Sequence, residues 1–147
     1  MEVRFVFACA AAAALLAGAV QAQTKAEKAD GIVKDLYVEW TAADLDPEKY
    51  FVKDVAEALK PKPIDFDYRF DTKSTDIGAV DFASEQVADA SGRIRADFMV
   101  GKKKSKVLYT VCKREDGTWR VKDAAVPGKW TLRDLLKLPA ADSVAGC

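Results

Sequence analysis

The chain has 147 residues, of which 50% are hydrophobic and 31% are charged, and this composition is typical of one globular domain. Its 23 lysines and arginines are balanced by 23 aspartates and glutamates. This balance argues against a nucleic-acid partner and against electrostatic attachment to an anionic membrane. The sequence contains no histidine, which excludes mechanisms that need an imidazole base, metal ligand or pH switch.

The first residues have the pattern of a secretory signal peptide. Arg4 precedes an apolar, alanine-rich run from Phe5 to Val20, which ends in the cleavage-site pattern Val20-Gln21-Ala22. The apolar run has about 16 residues, fewer than the roughly 20 of a helix that spans a membrane. We therefore expect residues 1–22 to be removed, which leaves a periplasmic or secreted protein that starts at Gln23 and has no membrane attachment.

Export would leave two cysteines in an oxidising compartment, because Cys9 lies in the predicted signal peptide. A disulfide between Cys112 and Cys147 would join the C-terminus to a central strand and would contribute about 3–4 kcal/mol through chain entropy. The alternative is a buried thiol at Cys112 and a frayed tail at Cys147.

Two amphipathic helices are predicted at the start of the mature chain. Thr24–Glu27 has the pattern of a capping box. Apolar residues then recur at helical spacing, and they are Ile32, Val33, Leu36, Tyr37 and Trp40. Asp46-Pro47 predicts the start of a second helix, which Pro61-Lys62-Pro63 ends. The apolar residues of this second helix are Tyr50, Phe51, Val52, Val55 and Leu59.

From Ile64 to Phe70 apolar residues alternate with charged ones, which predicts a short strand or an extended segment packed over the helices. Alternation places the charged side chains toward solvent, and they are Asp65, Asp67, Arg69 and Asp71. Residues 72–79 are polar and glycine-containing, and they predict a loop.

The second half of the chain predicts antiparallel strands. Val80–Ala90 is a weaker strand candidate, and Arg93–Val100 alternates clearly. Lys106–Val126 predicts a hairpin around Asp116-Gly117, with Val107, Tyr109 and Val111 on one face of the first strand and Trp119 and Val121 on one face of the second. Trp130–Leu138 predicts a short closing helix, and residues 139–147 form a C-terminal tail.

Helices followed by a run of strands indicate an α+β fold, in which two N-terminal helices pack on a curved antiparallel sheet and a short helix closes the chain. One domain is expected, over residues 23–138. We expect the apolar stripes of both helices to be buried under this sheet, including Trp40 and Phe51.

This arrangement resembles the nuclear transport factor two-like (cystatin-like, SnoaL-like) superfamily, because Asp116–Asp123 is similar to its Gly-x-Trp-x-Val-x-Asp strand. More narrowly, the order of an aromatic-ended helix, a Phe-Asp-Tyr stretch (Phe66–Tyr68) and a Trp strand resembles an exported bacterial family, domain of unknown function 3828. The resemblance covers about Thr24–Leu138. It implies a cone-shaped roll and no established activity.

Members of this superfamily often carry a ligand pocket inside the cone, so the resemblance implies candidate ligand-binding residues at Tyr37, Trp40, Tyr68, Tyr109 and Trp119. A Tyr–Asp pair in the cone would resemble isomerase-like members. The alternative is that the aromatic residues fill the cone as core, and no Asp falls on an apolar strand face in the predicted arrangement.

Two charged clusters are further candidates. The acidic residues from Asp65 to Asp81 lack the register of a calcium loop, and we interpret them as a solvated face rather than a metal or catalytic site. Lys102–Lys106 forms a basic hairpin tip, which is either a site for an anionic partner or a solvated turn that discourages edge pairing.

We therefore expect a noncatalytic exported domain, a monomer or homodimer, that binds a protein or a small ligand. No catalytic residue, metal site or cofactor is predicted. Two alternatives are an isomerase-like enzyme that acts on an apolar carbonyl compound and an immunity or accessory protein of a secretion system.

Overall fold

A computed structural model describes residues 29–147. The predicted signal peptide and the capping box at Thr24–Glu27 lie outside the described residues. The protein has an α+β fold with a five-stranded antiparallel sheet, as the sequence predicts. Among the described helices, none combines the length and the apolar character that a bilayer crossing requires.

The helical part of the fold precedes the sheet and is smaller than predicted. The described part of α1 covers residues 29–36, and the backbone then makes a turn in which the Tyr37 N–H donates to the Lys34 carbonyl at 3.0 Å. Two short helices follow, α2 (Pro47–Tyr50) and α3 (Lys53–Leu59). Asp46 caps α2 by accepting from the Glu48 N–H, and Pro47 occupies its first turn, as predicted.

The predicted second helix is interrupted at Phe51 and Val52, which are extended. The Val52 N–H donates to the Val121 carbonyl at 3.0 Å, and Phe51 forms a parallel bridge with Val121. A continuous helix would instead direct these backbone groups along its own axis. Phe51 is fully buried. At this point the chain therefore forms a backbone contact with the sheet in place of a helical turn, and the Phe51 side chain lies in the core.

The sheet is a meander in which each strand pairs with the next. Its strands are β1 (Asp81–Val87), β2 (Ser91–Val100), β3 (Lys103–Lys113), β4 (Trp119–Val126) and β5 (Trp130–Thr131). The turn between β3 and β4 contains Gly117 at φ +84°, a conformation that glycine adopts without steric cost. A bulge falls between Thr110 and Val111 in the β3–β4 ladder.

The core lies on one face of the sheet. Alternation along β3 and β4 buries the predicted residues, which are Val107, Tyr109, Val111, Trp119 and Val121. They pack with apolar residues of the helical region, including Leu36, Phe51, Val55 and Leu59. The short helix α4 (Leu132–Leu135) adds Leu132 to the same core.

The C-terminal tail is joined to the sheet by a disulfide between Cys112 of β3 and Cys147, one of the two predicted alternatives. The two Cα atoms are 5.5 Å apart, within the usual range for a disulfide. The bond closes a loop across a sequence separation of 35, for which chain entropy gives a stabilisation of about 3–4 kcal/mol.

The alternating segment that starts at Ile64 is a turn rather than a strand. The Asp67 N–H donates to the Thr72 carbonyl at 3.1 Å, and Phe70 donates back to Asp67 at 3.1 Å. Because the segment is not extended, its charged residues do not share one solvent side. Arg69 is 1% exposed, and Asp67 and Asp71 are largely covered, so the predicted solvated face is wrong for these three residues and holds for Asp65.

Candidate functional site

A surface groove of about 740 Å³ lies between the loop after α1, the end of α3 and the turn that starts at Ile64. We call it the Trp40 groove. Its apolar lining includes Trp40, Leu45, Leu59, Ile64, Phe66 and Phe70. Its polar lining includes Thr41, Lys60, Lys62, Asp65, Lys73 and Thr75. An apolar groove with a few polar groups at its margin is the usual character of a ligand site.

Trp40 is the most exposed large apolar side chain in the described part of the chain. Its exposure is 91%, so the prediction that it is covered by the sheet is wrong. The helix ends at Leu36, which removes Trp40 from the apolar stripe predicted for a longer helix. The indole lies instead at the margin of the Trp40 groove.

The backbone around Trp40 is fixed by Arg69, which is buried below the groove. The guanidinium donates to the Leu36 carbonyl at 3.0 Å, to the Glu39 carbonyl at 2.8 Å and to the Trp40 carbonyl at 3.4 Å. The last carbonyls of a helix lack intrahelical donors. Arg69 supplies such a donor to Leu36, the last residue of α1, and it also binds the loop that follows, at Glu39 and Trp40.

Asp67 completes the ion pair and extends the same network. It accepts from Arg69 Nε at 2.9 Å and from Nη2 at 2.7 Å, which is a bidentate contact. It also accepts from the Ala42 N–H at 3.4 Å. Both sides of the loop that carries Trp40 are therefore held by one buried pair.

A second contact restrains the loop from the side of α2. The Tyr50 hydroxyl donates to Glu39 Oε1 at 2.9 Å. Burial, with the nearby Glu39 carboxylate, raises the pKa of Tyr50 to about 12, so this phenol remains a donor at neutral pH. Trp40 is thus an exposed aromatic side chain on a loop whose backbone is held by hydrogen bonds on both sides, and such an arrangement lowers the entropic cost of binding.

The margin of the groove carries paired charges of both signs. Lys73 Nζ donates to Asp65 Oδ2 at 2.7 Å, and Lys60 forms an ion pair with Glu48. The contact with Lys73 holds the pKa of Asp65 below its ordinary value. Because both residues of the Asp65–Lys73 pair are mostly exposed, the pair contributes little stability and its groups stay available to a ligand.

The aromatic residues predicted to line a cone form a packed cluster instead. Tyr37 makes edge-to-face contacts with Phe70, Phe82 and Tyr109, at centroid distances of 5.2, 5.3 and 6.1 Å. Phe70 in turn packs on Phe98 at 5.1 Å. These contacts are those of a filled core, which is the alternative that the sequence leaves open.

The hydroxyl groups of Tyr37 and Tyr109 find their hydrogen-bond partners within the protein. The hydroxyls of Tyr37 and Tyr109 are 2.7 Å apart, and Tyr37 donates to the Arg69 carbonyl at 2.7 Å. Burial raises the pKa of both phenols. The nearest acid in this network, Asp67, is already paired with Arg69. A Tyr–Asp arrangement free to polarise a carbonyl and move a proton is therefore not assembled around these phenols.

The remaining predicted ligand-binding residues fall in different places. Tyr68 is buried, packs on Phe51 at 6.1 Å and contributes to the lining of the Trp40 groove. Trp119 is buried at the start of β4 and pairs with Lys113. Of the five candidates, the structure brings Trp40 and Tyr68 to the groove, and Tyr37, Tyr109 and Trp119 to the core.

The acidic residues do not gather into a metal site. Asp71 Oδ1 accepts from the Trp130 indole at 2.8 Å and its Oδ2 from Lys129 at 2.6 Å. Asp65 and Asp67 have the separate partners described above. Within residues 29–147, no cluster of acidic or sulfur-containing side chains has the geometry to hold a metal ion.

A second buried arginine, which sequence reasoning missed, fixes the end of the fold. Arg133 is fully buried, forms an ion pair with Asp54 of α3 and donates to the Lys122 carbonyl at 3.2 Å. Its backbone N–H donates at 3.1 Å to Asp123, a buried carboxyl whose pKa is raised by desolvation. The bulge in the β3–β4 ladder places Asp123 opposite Thr110 and Ala124 opposite Tyr109. Strict alternation from Val121 therefore does not predict the position of Asp123.

Comparison of the chain with family models, with curated proteins and with solved structures found no match. The resemblance to the nuclear transport factor two-like superfamily and to domain of unknown function 3828 stays a prediction.

Proposed function

We propose that the protein is an exported, noncatalytic binding domain, and that it binds a ligand with an apolar face in the Trp40 groove. The observation that carries the proposal is the 91% exposed indole of Trp40 at the margin of a groove of about 740 Å³. A tryptophan exposed to this degree buries little apolar surface and so contributes little to the stability of the fold. Tryptophan is enriched among the residues that dominate binding energies.

The hydrogen bonds that hold the loop around Trp40 also support the proposal. Arg69 and Asp67 hold the backbone on both sides of Trp40, and Tyr50 holds Glu39. A buried ion pair is a costly way to fix a loop, and a fixed loop favours binding because less conformational entropy is lost.

Export is part of the proposal. The signal-peptide pattern at residues 1–22 motivates it, and the disulfide between Cys112 and Cys147 is consistent with an oxidising compartment. The ligand is a small molecule or a segment of another protein, and the second case includes an immunity or accessory role.

The groove is tested with a defined apolar probe, 8-anilinonaphthalene-1-sulfonate, by fluorescence titration. We expect the wild-type protein to bind it and the Trp40→Ala variant to bind at least about tenfold more weakly, since truncation of an aromatic side chain that dominates a binding site commonly costs about 2 kcal/mol. The matched control is Val38→Ser, because Val38 is also exposed but lies outside the lining of the groove.

Equal dissociation constants for the wild type and Trp40→Ala would contradict the proposal. An equal loss in Val38→Ser would also contradict it, because it would show general surface adsorption. An isomerase-like enzyme would predict instead that activity depends on Tyr37 and Tyr109, whose hydroxyls are bonded to each other.

A further inference from the structure

A second candidate surface lies on the sheet, where β3 extends beyond its neighbour β4. β3 begins at Lys103, but its ladder with β4 begins only at the pair Leu108–Ala125. On the side of β4, residues 103–107 therefore have no paired strand in the described part of the chain. We call this stretch the β3 free edge.

The end of β4 explains why the ladder stops. Continuing the register beyond Leu108–Ala125 would place Lys106 level with Pro127. Proline has no backbone N–H, and it therefore lacks a donor for a strand ladder. The chain turns away at Pro127 and returns as β5, which leaves the edge open beside a pocket of about 480 Å³.

A hydrogen bond on the far side of β2 shows which backbone groups of β3 point toward the β3 free edge. The Met99 carbonyl accepts from the Gly78 N–H at 2.9 Å, so the backbone groups of Met99 are directed away from β3. Met99 is the register partner of Lys104. In an antiparallel pair of this type, both residues direct their N–H and C=O groups outward. Lys104 therefore presents its backbone to the free edge, and Lys106 does the same because the strand repeats every two residues.

The side chains around the edge are cationic and unpaired. Lys102, Lys103, Lys104 and Lys106 are exposed, and within the described residues none of them forms an ion pair. The acids that line the adjacent pocket are already paired, Asp71 with Lys129 and Asp97 with Arg95. Asp97 is the register partner of Lys106, but no ion pair joins them. The patch thus carries an excess of positive charge on a protein whose formal net charge is zero.

From this juxtaposition we infer that the β3 free edge binds an extended acidic segment of a partner protein. The segment adds as an antiparallel strand whose backbone bonds to Lys104 and Lys106. Strand addition to an open edge obtains affinity from main-chain hydrogen bonds and specificity from the side chains. Acidic residues directly opposite Lys104 and Lys106 would place carboxylates beside the ammonium groups, a favourable cross-strand pair. The inference is independent of the Trp40 groove.

The test uses the protein purified after expression of the full chain and a fluorescein-labelled octapeptide of alternating Thr and Glu. Binding is followed by fluorescence polarisation. We expect the peptide to bind, and we expect the Lys104→Glu, Lys106→Glu double variant to bind at least about tenfold more weakly, since charge reversal converts attraction into repulsion. The matched control is Lys49→Glu, Lys53→Glu, which changes net charge equally at exposed sites near the other end of β4. It should stay within about twofold of the wild type.

Backbone methylation separates strand addition from simple charge attraction. In the proposed alignment the Glu residues direct their N–H groups to β3, and the Thr residues direct theirs to solvent. N-methylation of the Glu residues should therefore weaken binding at least about tenfold, whereas N-methylation of the Thr residues should leave most of the affinity.

Equal binding of the two methylated peptides would overturn the inference and leave only an electrostatic patch. Absence of binding by every peptide would also overturn it and would leave the lysines as protection against edge-to-edge association. Binding to phosphatidylglycerol vesicles without binding to the peptide would assign the patch to a membrane surface instead.

Discussion

At the scale of single residues, the buried arginine of the turn matters most for the candidate site. Arg69 fixes three backbone carbonyls around the end of α1, and it holds Asp67 in a bidentate pair. The exposed Trp40 depends on this network for its position. Removing the guanidinium would leave carbonyls without donors and a partly buried carboxylate without a partner, and both effects oppose folding.

We therefore predict that Arg69→Met lowers the free energy of unfolding by about 3–5 kcal/mol, a range set by the loss of one partner of a buried pair. Urea denaturation measures the change. The control is Arg95→Met, whose ion pairs with Glu85 and Asp97 are partly exposed, and it should cost less than about 1 kcal/mol. The double variant Arg69→Met, Asp67→Asn should be more stable than Arg69→Met alone, because the unpaired charge is removed. Equal losses for Arg69→Met and Arg95→Met would show that the buried network does not hold the loop.

Sequence reasoning missed Arg69 for a physical reason. Alternation in an extended segment directs every second side chain to the same face. The charged residues from Asp65 to Asp71 are therefore expected to face solvent. The segment is a turn closed by Asp67 and Thr72, so that rule does not hold there. The backbone carbonyls that accept from Arg69 lie some 30 residues earlier, and no local pattern contains that information. The signal that could have been used is an arginine flanked by aromatic residues, because apolar neighbours indicate burial.

At the scale of elements, the prediction succeeds where local signals and tertiary contacts agree. The hairpin around Asp116-Gly117 and the buried faces of β3 and β4 are as predicted. The first predicted helix ends early and the second is interrupted at Phe51. The spacing of apolar residues could not show whether Phe51 and Val52 are helical or extended, because Phe51 is buried in either case. The contact with Val121 decides it.

Two glycines in different elements should respond oppositely to alanine. Gly117 has φ +84° in the β3–β4 turn and ample space around it, so Gly117→Ala should destabilise by about 1 kcal/mol through backbone strain alone. Gly31 lies in helix α1 with nothing within 4 Å of an added Cβ, so Gly31→Ala should stabilise by up to about 1 kcal/mol. Thermal or urea unfolding of the pair checks both signs. The same sign for both variants would contradict these backbone assignments.

At the scale of the whole molecule, the sequence predicts the fold class and gives the disulfide as one of two alternatives, but it does not show which aromatic residues belong to the core. The order of helices and strands determines an α+β domain because each amphipathic element has to cover another. The site depends instead on whether the aromatic residues fill the interior or leave it open. That outcome is a balance of side-chain volumes across the entire core, with Tyr37 and Tyr109 in the interior and Trp40 at the surface, and sequence patterns do not resolve such a balance.

The proposed export and the disulfide can be checked together by the intact mass of the protein recovered from the periplasm or medium. We expect a chain that starts at Gln23, with a mass two hydrogens below that of the reduced chain. Reduction should restore the two hydrogens. A chain that retains residues 1–22 would contradict the signal peptide, and two alkylatable thiols without reduction would contradict the bond between Cys112 and Cys147.

We propose that ligands bind at the Trp40 groove and not within the aromatic core. The most direct measurement records the indole N–H resonances of the 3 tryptophans in a ¹⁵N-labelled sample during titration with 8-anilinonaphthalene-1-sulfonate. We expect the Trp40 resonance to shift with saturation, while that of the buried Trp119 stays in place. A shift confined to Trp119, or an unchanged Trp40 resonance while the probe binds, would contradict it.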